Sequence, residues 1–216
     1  MRYKRMAIGA SDLTAAARIR DAALQQFAAR GVAATSIRDV AKKASVSPGL
    51  VQHHFRSKAG LRRAVDEFVI GRAVETFGQS IGGDTPAESS VRVGARISAF
   101  VRANPAVFAY IGRSLLEADA AAVQLFERLL DVARAELDRL AAAGLLRADL
   151  DREWAALHVI LIDVGAFLLE PALARHLGGS LLSEKGLLRM EKATEALFLK
   201  GIYRRATRRR SPRKRR

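Results

Sequence analysis

The chain runs to 216 residues, half of them apolar, with 37 Lys and Arg against 22 Asp and Glu, and it contains no cysteine. That length accommodates one or two domains around a sizeable core; the lack of cysteine excludes disulfides and thiolate metal sites and fits a reducing cytoplasm. The formal charge of +15 is unevenly placed: residues 1–60 hold eleven Lys and Arg against three Asp, residues 61–203 hold seventeen against nineteen acidic groups, and residues 204–216 hold nine basic groups and no acidic one. A near-neutral middle between two basic ends is an electrostatic footprint, so polyanion binding is the leading expectation.

Abundant Ala and Leu with only short β-branched runs favour an all-α chain. Met1 to Arg5 is polar and basic, with no apolar signal-peptide core, and an N-terminal arm is expected to about residue 12. Helices are expected at 13–30, 37–44, 48–54 and 58–80. The stretch from Thr35 to Lys58, TSIRDVAKKASVSPGLVQHHFRSK, carries three helix-start signals. Ser36 caps the first start and Asp39 answers it three residues on; Ile37, Val40, Ala41 and Ala44 then form an apolar stripe at helical spacing. Ser47 before Pro48 is the second start, opening a helix that buries Val51 and Phe55 and turns Leu50, Gln52 and His53 outward. Ser57 starts a third helix with Lys58 at its mouth. This is the grammar of a helix-turn-helix, in which a short helix enters a major groove while neighbouring helix N-termini grip phosphates.

Leu61, Val65, Phe68 and Val69 line the fourth helix, which connects onward until a linker at Gly82 to Ser89. Further helices are expected at 90–103, 105–117, 119–143, 151–170 and 184–204, with breaks at Asn104-Pro105, Gly144 and Gly178-Gly179. In the seventh of the nine, Arg128 and Asp131, Asp131 and Arg134, and Arg134 and Asp138 are spaced for solvated pairs of little individual weight. The helix at 151–170 is apolar on nearly every side and therefore needs neighbours on every side. Its most apolar segment, Trp154 to Leu169, is interrupted by His158 and Asp163 and is too short to span a bilayer. The tail 204–216 cannot bury apolar surface and is expected to be disordered, either a nonspecific phosphate clamp or a solubilising end, with contact to an anionic membrane surface as a third option.

Residues Arg18 to Asp66, with Ile19, Ala23, Phe27, Gly31, Thr35 to Ala44, Val46 to Phe55, Lys58 and Leu61, resemble the N-terminal DNA-binding domain of the TetR (tetracycline-repressor-like) family of transcriptional regulators. The resemblance covers about a quarter of the chain. It implies an all-α fold in which a three-helix DNA-binding head, residues 1–60, precedes a helical effector-binding and dimerisation body, residues 61–203, and the basic tail. It further implies a homodimer through the last two body helices, which sets two recognition helices one turn apart on a pseudopalindromic operator.

Carried over residue by residue, the resemblance puts Thr35 and Ser36 on phosphate and Arg38 at a base edge, where its fork matches guanine. Ser47, Pro48, Gly49, Leu50, Gln52, His53 and His54 fall on the recognition helix and its cap; Gln52 can pair with adenine and Leu50 can meet a thymine methyl. Lys58 matches the family's phosphate-binding lysine. Departures are also evident. Gln52 and His53 stand where an aromatic pair is common, and Ser45 stands where a left-handed glycine is common. The body is expected to enclose an effector among Phe100, Phe108, Tyr110, Trp154, His158 and Phe167, with Arg113 and Asp163 as polar anchors.

No glycine-rich phosphate loop follows a strand, no G-x-S-x-G elbow occurs, and no His pair has metal spacing, so neither enzyme activity, metal nor cofactor is expected. The expected function is a ligand-responsive regulator, a repressor by family habit, released from its operator by a small, mostly hydrophobic effector. It would be cytoplasmic and nucleoid-associated, without stable membrane association. The rival reading is a helical small-molecule-binding protein whose basic ends contact nucleic acid or membrane surfaces nonspecifically.

Overall fold

The computed structural model describes residues 10–77 and 86–201, in which ten helices and no strand occur. The basic tail and the first half of the expected linker lie outside the described residues. Four helices lead: α1 (Ala10–Arg30), α2 (Ile37–Ala44), α3 (Pro48–Phe55) and α4 (Lys58–Phe77). Six follow: α5 (Pro86–Ala103), α6 (Pro105–Glu117), α7 (Ala120–Ala142), α8 (Arg152–Leu168), α9 (Glu170–Leu177) and α10 (Glu184–Gly201).

The anticipated starts are built as the sequence spells them. Ser36 forms a full capping box with Asp39, Ser47 Oγ accepts from the Leu50 amide at 3.2 Å, and Ser57 Oγ accepts from the Gly60 amide at 3.1 Å. Each hydroxyl satisfies an amide that has no partner within its own helix. Ile19, Ala23 and Phe27 of α1, Val40, Ala41 and Ala44 of α2, Val51 of α3, and Leu61 and Val65 of α4 close over one another. Arg20 lays its guanidinium 3.9 Å above the Phe68 ring, fastening α1 to α4 by stem packing and cation–π attraction.

Several boundaries differ from expectation. Ala10, Ser11 and Asp12 are helical rather than part of an arm, and Pro86 opens α5 inside the expected linker, as proline can at a first helical turn. The segment 151–170 ends two residues early, and α9 occupies what read as a loop. Pro171 sits in its first turn, so it starts a helix rather than interrupting one. Surface charge also pairs differently. Arg134 does meet Asp131, but Arg128 bonds Glu67 of α4 and Asp138 meets Arg152 of α8. Helical spacing alone cannot reveal a partner supplied by another helix.

α3 and α4 meet with no slack. A Cβ at Gly60 would lie 2.1 Å from the Phe55 carbonyl oxygen, a backbone atom that can retreat only by moving α3. Gly60→Ala is expected to destabilise the protein by about 1–3 kcal/mol, the usual cost of overpacking, read as a lower urea midpoint with an unchanged slope. A midpoint equal to that of the wild type would contradict this packing.

Candidate nucleic-acid interface and body cavity

The α2–α3 pair presents a basic, polar face. Ser36, Arg38, Ser47, Pro48, Gly49, Gln52 and His53 are exposed, as are Lys42, Lys43 and Arg56. Ser45 takes the left-handed conformation, φ 55° and ψ 49°, where a glycine would be unstrained. Arg56 holds φ 63° and ψ −45° while the Ser57 amide donates to Phe55 O at 2.7 Å. That is the rare γ-turn of positive φ, which reverses the chain within three residues. Both strained positions bracket α3 and fix its angle.

Beneath this face, a polar cluster joins α4 to α6 and the start of α7. Arg62, buried on α4, donates to Asp119 Oδ2 at 2.5 Å and to Ser114 Oγ at 3.0 Å. One turn along, the Asp66 carboxylate accepts from the buried Tyr110 hydroxyl at 2.5 Å. Burial pushes the Asp66 carboxyl above its ordinary range, against the opposing pull of Tyr110 and Arg62; burial and the Asp66 bond push the Tyr110 phenol upward. The loop after α1 is clamped into the same junction. The Val32 amide donates to Glu117 Oε1 at 2.8 Å, and Lys58 Nζ donates to the Val32 and Ala33 carbonyls at 3.0 and 3.2 Å.

Further along α4, a cavity of about 130 Å³ opens among five helices. Its wall includes Val69 and Ala73 of α4, Phe100 of α5, Phe108 of α6, Leu137 of α7 and Ile160 of α8. Phe100 and Phe108 meet edge to face at 5.4 Å. Among the described residues, Glu136 and Asp163 are the only ionisable side chains in the wall. Burial pushes the Glu136 carboxyl upward, opposed by its bonded neighbour Arg139. Asp163 makes no hydrogen bond or ion pair among the described residues, and burial pushes its carboxyl up to about 7.

The comparisons agree with this arrangement. Residues 19–65 match the family model for bacterial regulatory proteins of the tetR family, and residues 103–198 match a tetracyclin repressor-like C-terminal domain. The HTH-type transcriptional regulatory protein RaaS of Mycobacterium tuberculosis is 33% identical over 159 residues, which are 74% of this chain and 72% of that protein. The chain belongs to the TetR family of transcriptional regulators. Among solved structures, a TetR regulator of Chloroflexus aurantiacus superposes with a TM-score of 0.67 at 20% identity, covering 89% of this chain and 98% of that one. Salmonella enterica GusR gives 0.63 at 22% identity, covering 86% and 95%. At these identities the two structures speak for the fold. The TetR family comprises DNA-binding transcriptional regulators rather than enzymes, and this TetR-family chain carries its helix-turn-helix in α2 and α3.

The expected TetR contact residues separate into two groups. Arg38, Ser47, Pro48, Gly49, Gln52 and His53 share the open face, whereas the other five are engaged by contacts within the chain, Ser36 while still exposed. Thr35 is buried and its hydroxyl donates to Gly31 O at 2.8 Å, because the loop must close before α2 begins. The Ser36 hydroxyl donates to Asp39 Oδ2 at 2.7 Å, holding that carboxyl below its usual range. Leu50 leans on the core, and His54 is half-buried with Nε2 enclosed and unpartnered. Lys58 serves the junction described above. Lys42, Lys43 and Arg56 lie on the same open face, at positions that read in the sequence as ordinary helix ends.

Of the expected effector residues, Phe100, Phe108 and Asp163 line the cavity. Phe167 stacks behind Phe108 at 4.4 Å. Tyr110 belongs to the junction, and Arg113 is exposed beside Gly31. Trp154 and His158 pack together at 5.6 Å but on an exposed face. The α4 and α7 walls were missed, although the α7 series Leu129, Ala133, Leu137 and Leu140 was a legible apolar stripe.

Among the described residues no single helix is long and apolar enough to cross a membrane. The folded state raises the Asp163 pKa, so it favours the protonated carboxyl; stability is greatest below the unfolded value near 3.8 and is lost as pH rises through about 7. Asp163→Asn is therefore expected to raise the melting temperature at pH 8, with the increment shrinking toward pH 5. A constant increment across that range would show that the carboxyl does not titrate as its burial dictates.

Proposed function

We propose that this TetR-family protein is a dimeric, ligand-responsive repressor. The observation that carries this reading is the course of α4, whose first residue stands beside the recognition-helix turn and whose later turns form the cavity wall. Fifteen residues of helix separate Lys58 from Ala73, a rod of about 22 Å. A ligand that fills the cavity bears on Val69 and Ala73 directly and on α6 through Phe108. Through the Arg62 and Asp66 bonds, that displacement reaches the head. The ligand can act only by its differential affinity for DNA-competent and incompetent head positions.

Within the head, Arg38 and Gln52 read base edges; Lys42, Lys43 and Arg56 add backbone charge, and the α3 N-terminus approaches phosphate. Lys58 acts by holding the loop and contributing charge at the same edge. The basic tail strengthens binding without regard to sequence.

The mate is a second copy of the chain, docked on the outer face of α8 and α10. Trp154, His158, Leu161 and Gly165 follow one another at four- and three-residue steps, so they share one side of α8. Trp154 is 55% and Leu161 57% exposed, Leu188 and Leu197 of α10 are also open, and the space beside Gly165 is empty. Apolar groups placed in this way on a helix need a partner surface. Leu161→Asp is expected to shift the protein from dimer to monomer in sedimentation equilibrium and to lower operator affinity more than tenfold. A monomeric wild type, or an unchanged dimer in the variant, would sink this interface.

The function is tested by selecting random duplexes at near-physiological salt with full-length protein and with residues 204–216 removed. An inverted repeat enriched by both forms is expected. Arg38→Ala or Gln52→Ala should then relax preference at single positions, at about 1–3 kcal/mol per lost base pair contact. Lys58→Ala should weaken all duplexes alike, with a salt slope lower by about 1. Binding without an enriched site, lost with the tail, would favour nonspecific polyanion contact instead.

A further inference from the structure

The composition of the cavity wall says more about its occupant than its apolarity does. Sixteen of the described residues line it, drawn from α4 to α8, and fourteen of these carry no ionisable group. The two exceptions are both acidic, and among the described residues no Lys, Arg or His joins them. They are not equivalent. Glu136 is matched within the protein, forming an ion pair with Arg139 one turn along α7. Asp163 has no hydrogen bond and no ion pair among the described residues. A half-buried carboxylate in an apolar wall, without a partner among the described residues, is costly, and polar groups in such surroundings are nearly always satisfied. A ligand that supplies the missing partner removes that cost on binding.

We propose that the cavity receives a small lipophilic amine, whose ammonium pairs with the Asp163 carboxylate while its apolar body lies against Phe100 and Phe108. This rests on the ligand-responsive reading above and names the chemical class of its effector. An ammonium offers up to three donors to a carboxylate that accepts only. The nearby aromatic rings add attraction for a cation. A ligand with an anionic head would set a second negative charge beside Asp163 in a wall whose described residues include no cation. A neutral ligand can give the carboxylate a hydrogen bond but no countercharge, and hydrogen bonds between charged groups are the stronger.

The pH dependence follows from the groups around Asp163. α7 contributes Glu136 with Arg139 beside it, while the lining residues from α4, α5 and α6 are Val69, Ala73, Ile97, Phe100, Phe108 and Ile111, none of which titrates. The remaining α8 residues in the wall are Val159, Ile160 and Val164, and α9 contributes none. An alkylammonium stays charged well above neutrality, like a lysine at about 10.4. Amine affinity therefore tracks the ionisation of Asp163 and falls as the solution is acidified through neutrality.

The test uses the full-length protein and three probes sharing one body: 4-phenylbutylamine, 4-phenylbutan-1-ol and 4-phenylbutyrate, titrated calorimetrically at pH 7.5 and pH 6. The expected result is an amine affinity about tenfold or more above that of the alcohol at pH 7.5, with the butyrate weakest. That advantage should shrink at pH 6. In Asp163→Asn the amine advantage should disappear at both pH values while alcohol binding persists, which also shows that the variant is folded. Glu136→Gln should keep the preference. Equal or tighter binding of the alcohol or the butyrate by the wild type, or an amine advantage that survives Asp163→Asn, would overturn the proposal. The same probes added to the operator complex separate the two readings. Amine that binds through Asp163 without releasing DNA defeats ligand-responsiveness and leaves the amine site standing. Release by the alcohol, with no amine advantage, defeats the amine class and leaves ligand-responsiveness standing.

Discussion

The Arg62 guanidinium, almost wholly enclosed where α4 passes α6 and the start of α7, sets how the DNA-binding head and the body sit against each other. A buried cation is tolerated only with partners in place, and here they are Asp119 at 2.5 Å and Ser114 at 3.0 Å. Asp66 and Tyr110 repeat the pattern one turn along the same helix. Displacing α4 along its axis would strand at least one of these groups without a partner. The polar junction consequently favours discrete positions over continuous sliding, the property a switch between DNA-competent and incompetent heads requires.

The recognition helix is pinned to this rod by local strain. Ser45 and Arg56 both hold positive φ without being glycine, and such positions persist only where the surroundings determine them. At Arg56 the γ-turn brings the Phe55 carbonyl against Gly60, so the end of α3 and the first turn of α4 move as one. Val32, held by Glu117 from one side and by Lys58 from the other, ties the end of α1 to the same point. The exposed side chains of α3 thus project from a helix with little freedom of its own relative to α4.

The cavity completes the chain of contacts. Its apolar wall is shared between α4 and four body helices, so the proposed effector would bear on the rod that carries the head. In the amine proposal, the Asp163 carboxylate, without a partner among the described residues, is what a ligand of the right charge would satisfy. Binding energy released there can be expressed as a change in head position, provided the two positions fit the ligand unequally.

Much of the head was legible in the sequence, because its signals are local. Ser36 with Asp39, Ser47 with Pro48, and Ser57 each satisfy amides within four residues, and the stripe Val40, Ala41, Ala44 needs only helical periodicity to be read. The left-handed turn at Ser45 was likewise visible from its place in the motif. What depended on distant partners was not. Thr35 and Lys58 carry donors that nothing nearby in sequence claims; only the closed loop brings the Gly31 and Val32 carbonyls to them. Tyr110, Trp154 and Asp163 are three polar or aromatic residues in apolar helices, indistinguishable by spacing, yet one locks the junction, one faces outward and one lines the cavity. Sequence by itself determined which segments become helices, where they are capped and which family the head resembles, since these rest on interactions spanning a few residues. Tertiary structure alone decided which side chains are consumed by packing and which remain free to bind, because burial and charge pairing depend on neighbours far away in the chain.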